Sequence, residues 1–358
     1  HIHLNVDYPF NLTGILYFPK ISNDLNLQKD RIQLYQNQVF VTDNVEGIVP
    51  EFLGLLKGVI DSPDIPLNVS RSYLQSDASV KKITNYITRK VADKLNSIFK
   101  NERENLESKW NDIKVVIEYG MLTEDKFYDK AESFNLYPTV DDKYFTYEEL
   151  EKKIKKLQTD KDGNLIILYA QNKDEQYTYI ESAKEKGYEV LLLDSPIIPH
   201  LMQKLESKKE KIKFSRVDSD TLENLIKKDE EVISKLTDEE KEKLKPMIET
   251  AVENEKYTVQ LEALDSNSMP FMLAQPEFMR RMKEMQQTGG GAMGNLPDMY
   301  SLIVNTNHEL VDKILNTRTE KKRSSLIKQS IDLAKLSQNN LTGKDLTEFI
   351  NRSIDLIK

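Results

Sequence analysis

The sequence contains no cysteine, which excludes disulfides, thiolate metal ligation and a cysteine nucleophile together and fits a reducing compartment. Histidine is nearly as scarce, with only His1, His3, His200 and His308 present. His1 and His3 would share one face of a strand, but no third ligand stands near them in sequence, so no metal site is expected. Positive charge does not dominate, since the formal net charge is -8, and nucleic acid, which demands a basic face, is not the expected partner. No apolar run approaches the roughly 18 residues that a membrane-spanning helix needs, so no membrane insertion is expected. The N-terminus shows no basic segment followed by an apolar one. No G-x-x-x-x-G-K-[ST] loop occurs. Gly289-Gly-Gly-Ala-Met-Gly294 matches the dinucleotide pattern in letters only, without a strand before it or a helix after it, and reads as a glycine linker.

What is present suits a globular chain: 358 residues, 39% hydrophobic and 31% charged, allow two or three domains with separate cores. Ile2, Leu4, Val6 and Tyr8 alternate as a strand would, and Leu12 to Phe18, Arg31 to Tyr35 and Gln38 to Thr42 are further strand candidates. Pro50 sits where a helix begins, and Phe52, Leu53, Leu55, Leu56, Val59 and Ile60 predict a helix that is apolar around most of its circumference. Val80, Ile83, Ile87, Val91, Leu95 and Ile98 recur at three- and four-residue intervals, predicting a long amphipathic helix that runs on through charged sequence to Trp110. An Asp162-Gly163 turn, a strand over Leu165 to Ala170, a helix over Asp174 to Lys186 closed by Gly187, and a strand over Tyr188 to Leu193 read as a parallel βαβ unit. Residues 216 to 255 are helical and acidic, and Tyr257, Val259, Leu261 and Ala263 alternate as an antiparallel strand candidate. Two terminal helices follow, Leu326 to Leu336 and, after the capping signature Thr342-Gly-Lys-Asp345, Leu346 to Ile357. The expected divisions are 1–111, 112–215 and 216–358, with a methionine-rich segment at 269–299.

Two features carry candidate function. Arg71 follows Pro63 and Pro66 in a stiffened loop that leads into the long helix. An arginine so placed can counter charge on a phosphoryl group bound by another domain, or it can simply cover a surface or pair with an acid. Seven of the ten methionines fall within residues 269–299. There Phe278, Met282 and Met285 follow helical spacing, with Arg280, Arg281, Lys283 and Glu284 on the other side. Such a helix is either an ordinary core helix or a soft, polarizable surface able to fit many partners. The stripes of the last two helices, Ile327, Ile331 and Ala334, then Leu346, Phe349, Ile350, Ile354 and Ile357, are too apolar to be expected exposed at a chain end.

The blocks Val39-Phe-Val-Thr-Asp-Asn-Val-Glu-Gly-Ile-Val-Pro50, Lys57-Gly-Val-Ile-Asp-Ser62 and Asp64-Ile-Pro-Leu-Asn-Val-Ser-Arg-Ser-Tyr-Leu-Gln75 closely resemble the middle domain of the heat shock protein 90 chaperones. The likeness continues more loosely through Gly187-Tyr-Glu-Val-Leu-Leu-Leu-Asp194 to the C-terminus. The resemblance implies an α+β, α/β multidomain chain: a middle domain built as an αβα sandwich in two subdomains, then a mixed α+β dimerisation domain. It also implies that the N-terminal ATP-binding domain and the start of the middle domain are missing. The arginine of the family's Asn-Val-Ser-Arg context, here Arg71, reaches the γ-phosphate of ATP held by that N-terminal domain, and Gln75 is implicated in the same contact. ATP and Mg would therefore belong to the full-length protein, with no cofactor in this chain, which alone would be inactive. The resemblance further implies clients bound at Phe278, Met279, Met282 and Met285. It implies a homodimer through Ile327, Ile331, Ala334, Leu346, Phe349, Ile350, Ile354 and Ile357, and a cytoplasmic location. Gln36-Asn37-Gln38 departs from the basic residue that relatives usually carry there. Relatives can also place a client-contacting tryptophan near His200, where this chain has none. A constitutive dimeric scaffold and a self-contained α/β nucleotide hydrolase are the alternative readings.

Overall fold

In the computed structural model, which describes residues 1–20, 32–66, 77–229, 232–252, 256–289 and 299–357, the alternation at the start of the chain becomes sheet. Strands β1 (Ile2–Val6), β2 (Leu12–Tyr17), β3 (Ile32–Gln36), β4 (Val39–Thr42) and β5 (Lys57–Asp61) form a five-stranded sheet in the order β1-β2-β5-β3-β4. The β3 and β5 strands run parallel and the other neighbours antiparallel. Their register places Leu4, Ile60 and Leu34 on one face, and all three are buried, as are Ile2, Leu16 and Ile32 in the adjacent row. Gln36-Asn37-Gln38 makes the β3–β4 turn. Asn37 and Gln38 both have positive φ, 49° and 67°, as a two-residue hairpin requires. Asp61 accepts the Gln38 backbone N–H at 2.7 Å and so helps fix that turn.

The single helix expected over Phe52 to Ile60 is not formed. A short 3-10 helix, Glu51–Leu55, ends where Leu56 turns extended, and the remaining residues enter β5 at the centre of the sheet. Gly58 makes this possible. Its φ of 145° suits only glycine, and a Cβ there would stand 2.1 Å from the Ile15 carbonyl oxygen of the neighbouring strand. A short apolar run satisfies either periodicity, and here the β-branched pair Val59-Ile60 takes the strand.

Asp77 caps the long helix α1 (Ala78–Asn101), whose side chain accepts the Ser79 and Val80 backbone N–H groups, and Val80, Ile83, Ile87, Val91 and Leu95 are buried. The run to Trp110 is not continuous. The helix breaks at Glu102, with φ −143° and ψ 46°, and α2 (Arg103–Thr123) begins again at once. Trp110 is fully buried, so this charged sequence is core on one side. Gly120 lets α2 approach Phe52 and the Phe127 ring of α3 (Asp125–Ala131), because a Cβ there would lie 2.7 and 2.8 Å from those rings.

Contacts divide the chain into two units. The first joins His1–Pro138 with Asp142–Lys152 and Ser195–Lys208, and contains everything above. The second joins Thr139–Asp141, Lys153–Asp194 and Lys209–Lys358. It holds a parallel three-stranded sheet, β6 (Leu165–Ala170), β7 (Val190–Leu192) and β8 (Ile212–Arg216), in the order β8-β6-β7. Helix α4 (Tyr177–Glu185) links β6 to β7, and Gly163 and Gly187 take positive φ at the turns before β6 and after α4. All six residues of the central β6 are buried, as befits a parallel strand covered on both faces.

A second layer of this unit follows α5 (Asp238–Glu249), which starts in a capping box of Thr237 and Glu240. Strands β9 (Tyr257–Glu262) and β10 (Phe271–Ala274), helix α6 (Glu277–Gly289), strand β11 (Tyr300–Asn305) and helices α7 (Glu309–Asn316), α8 (Glu320–Ser337) and α9 (Gly343–Ile357) complete it. The sheet order is β9-β11-β10. The expectation that β9 is antiparallel is corrected: it runs parallel to β11, and β10 is the antiparallel neighbour. Alternation fixes which face a residue takes but carries no information on strand direction. The core beneath this sheet gathers Val259, Phe271, Leu302 and Val304 with Leu244 and Ile248 of α5 and Ile327, Ile331 and Ala334 of α8. No helix among the described residues is long and apolar enough to cross a membrane.

Candidate functional site

Helix α6 has the two faces its spacing predicts, but the charged one is turned inward. Arg280 is only 3% exposed, whereas Phe278 is 71% exposed and Met279, Met282 and Met285 are half-buried. An amphipathic helix ordinarily hides its apolar side, so this inversion needs partners able to receive charge. They come from the carboxyl ends of β6 and β8. The Tyr169 hydroxyl donates to Glu277 Oε1 at 2.7 Å, and the Arg216 backbone N–H donates to Glu277 Oε2 at 3.1 Å. Arg280 donates to Glu277 at 2.6 Å and also to Tyr169 and Glu284, and its guanidinium carbon lies 5.6 Å from the Tyr169 ring centroid. Arg281 donates to Glu277 at 2.6 Å and to the Phe214 carbonyl at 2.5 Å. Arg216 is itself held by Asp218 at 2.5 Å and 3.0 Å and donates to Gln171 at 2.9 Å.

Electrostatics keep this cluster ionised. Burial alone would raise the Glu277 carboxyl, but the charges of Arg280 and Arg281, the Tyr169 hydroxyl and the Arg216 N–H outweigh it and hold Glu277 below the usual carboxylate range. Burial, then the Glu277 charge, pushes the Tyr169 hydroxyl well above its ordinary value, so it stays a protonated donor. Burial would lower Arg280, and Glu277 with its other acceptors outweighs that and raises it. This arrangement fastens one side of a helix while presenting phenylalanine and methionine on the other.

The remaining predicted site residues are divided by the structure. Arg71 and Gln75 lie outside the described residues. Their flanks are fixed, since Gln36 donates to the Pro63 carbonyl at 3.2 Å and Asp77 caps α1. Ile327, Ile331 and Ala334 do not stand exposed at the chain end. They face the chain's own sheet, where Phe271, Leu302 and Val304 cover them. On α9, Leu346 and Phe349 are half-buried, Ile350 and Ile354 are 47% and 46% exposed, and the Ile357 side chain lies outside the described residues. Helix α9 is tied to α8 by Lys328–Glu348 at 3.0 Å, by Gln329 donating to Ser353 at 2.9 Å, and by Arg352–Asp332. Leu333 and Leu336, not singled out from the sequence, are 49% and 40% exposed on α8. Their signal was present: a helix with apolar residues off its main stripe has a second face to cover. Nor does the sequence single out Tyr169 and Arg216, which carry no local motif.

A family model described as Hsp90 protein matches residues 1–352. The chain is 52% identical over 340 residues to the chaperone protein HtpG of Porphyromonas gingivalis, covering 94% of this chain and 50% of that protein. It is 46% identical over 425 residues to that of Bacteroides thetaiotaomicron, covering 99% and 62%, and 28% identical over 368 residues to that of Ruthia magnifica, covering 99% and 58%. The chain thus spans about half to three fifths of the length of these curated relatives. With the family model matched along nearly the whole sequence, and a mixed α and β architecture on several sheets behind it, this chain belongs to the heat shock protein 90 family.

Proposed function

We propose that this chain is the client-binding and dimerising portion of an ATP-dependent cytoplasmic chaperone, arranged as a middle segment over 1–111 and 112–215 and a dimerisation segment over 216–358. The observation that carries the reading is the inverted helix α6, with Arg280 buried and Phe278 exposed. A polypeptide that is partly unfolded displays apolar segments of many shapes, and a phenylalanine beside flexible methionines suits such variety. Dimerisation is assigned to the exposed side of α8 and α9, where Leu333, Leu336, Ile350 and Ile354 remain uncovered by the chain itself.

In the full-length protein, ATP and Mg would be held by the N-terminal domain, and Arg71, with Gln75 beside it, would meet the γ-phosphate there. A guanidinium stabilises the charge that develops on a transferring phosphoryl group. The test of the client reading is suppression of aggregation. Replacing Phe278, Met282 and Met285 together by Ser is expected to lower the protection of a heat-unfolded reporter protein severalfold, with the dimer intact by light scattering. Undiminished protection would favour a dimeric scaffold instead.

A further inference from the structure

Sulfur is unevenly placed in this chain. With no cysteine present, the ten methionines hold all of it, and seven of them fall within residues 269–299. Outside that segment, Met121 and Met202 are 0% exposed, and Met247 packs against the core beneath the β9-β11-β10 sheet. Inside it, Met279, Met282 and Met285 reach the surface of α6 beside Phe278, and Met299, just ahead of β11, is 42% exposed. A two-electron oxidant such as a peroxide or a hypohalous acid acts where the thioether can be reached, so attack is concentrated on one side of this helix. The groups that seat the helix contain no sulfur: Glu277, Arg280 and Arg281 meet Tyr169, the Arg216 backbone N–H and the Phe214 carbonyl. The oxidisable side and the anchoring side are chemically independent.

We propose that the outer side of α6, read above as the client surface, is an oxidant-responsive switch resting on that reading: sulfoxide formation at Met279, Met282 and Met285 lowers its affinity for apolar polypeptide. In the forward step the sulfur lone pair attacks a peroxide oxygen. One S–O bond forms as the O–O bond breaks, the sulfur is oxidised by two electrons, and the peroxide's other oxygen leaves as water. In the reverse step a thiol-dependent methionine sulfoxide reductase removes the oxygen as water, with the two electrons supplied by a dithiol that becomes a disulfide. Each sulfoxide puts a polar acceptor where a flexible apolar chain stood, and burying it against apolar side chains without a donor is costly. The ionic seat is untouched, so α6 stays docked and the change can be undone.

The test uses the whole chain treated briefly with hydrogen peroxide, with the sulfoxide at each methionine read by peptide mass spectrometry. Met279, Met282 and Met285 are expected to oxidise at least about tenfold faster than Met121 and Met202, because susceptibility follows exposure. Retention of heat-unfolded luciferase is expected to fall severalfold, and to return after treatment with methionine sulfoxide reductases and dithiothreitol. Amide exchange in α6 is expected to match the untreated chain, which separates a changed surface from an undocked helix. A variant combining Met279→Leu, Met282→Leu and Met285→Leu, compared with its own untreated sample, is expected to lose the response to peroxide. Uniform oxidation of all the methionines, unchanged retention by the oxidised chain, or an equal fall in the leucine variant would overturn the switch. An untreated chain that retains no luciferase would overturn the client reading, and the switch with it.

Discussion

The Arg103 guanidinium is shared among three acceptors in the first unit: Glu107 at 2.7 Å, Glu149 at 2.5 Å and 2.9 Å, and the Tyr144 carbonyl at 3.0 Å. Above all that hydrogen-bonded guanidinium, together with the Thr146 N–H and against the opposing effect of burial, holds the Glu149 carboxyl down to about 2 from an ordinary 4.5. A carboxyl depressed in the folded state stabilises the fold above its unfolded value and loses that contribution as pH falls through the folded one. The window runs from about pH 4.5 to about pH 2. Because the Glu149 side chain is 40% exposed, solvent screening limits the effect to about 1 kcal/mol. Arg103→Gln is therefore expected to lower the urea midpoint at pH 6 and to flatten its decline between pH 5 and pH 3. A variant that declines as steeply as wild type would remove this pair as the cause. At this scale little was legible beforehand. Arg103, Glu149 and Tyr144 are distant in sequence, and only the fold brings them together.

Periodic elements were legible in the sequence because their burial is periodic. The α1 stripe Val80, Ile83, Ile87, Val91, Leu95 and the strand-helix-strand unit from Leu165 to Leu192 form as their spacing predicts. Residues 52 to 60 did not, since a short apolar run fits helix and strand alike and a single glycine, Gly58, decided the outcome. The two faces of α6 could be read from spacing, but which one is buried could not. That depends on Tyr169 and Arg216, which lie 108 and 61 residues away from Glu277. The same holds for α8, where Ile327, Ile331 and Ala334 were visible as a stripe while its cover, the chain's own sheet, was not. A consequence follows for dimerisation. Deleting α8 would remove core residues, so the clean test lies on the exposed side. Leu333→Asp with Ile350→Asp is expected to give a folded monomer by light scattering, whereas Ile331→Asp is expected to unfold the domain by burying an unpaired charge. A persistent dimer in the first variant would displace the assigned surface.

At the scale of the whole molecule, the proposal divides the labour between this chain and the part of its relatives it does not span. The chain alone is expected to hydrolyse no ATP. In the full-length protein, Arg71→Ala is expected to slow hydrolysis at least about tenfold while leaving nucleotide affinity nearly unchanged, as removal of a transition-state cation does. Equal rates would place the phosphate contact elsewhere. The central claim, however, is that α6 turns its charged side to the sheet and offers its apolar side to unfolded polypeptide. A photo-reactive phenylalanine analogue at position 278, in the chain mixed with a heat-unfolded reporter protein, tests it directly. The control is the same analogue at Tyr177, which is 62% exposed on α4. Adducts from position 278 well above those from position 177 are predicted, and equal yields at both positions, or none at 278, would contradict the account.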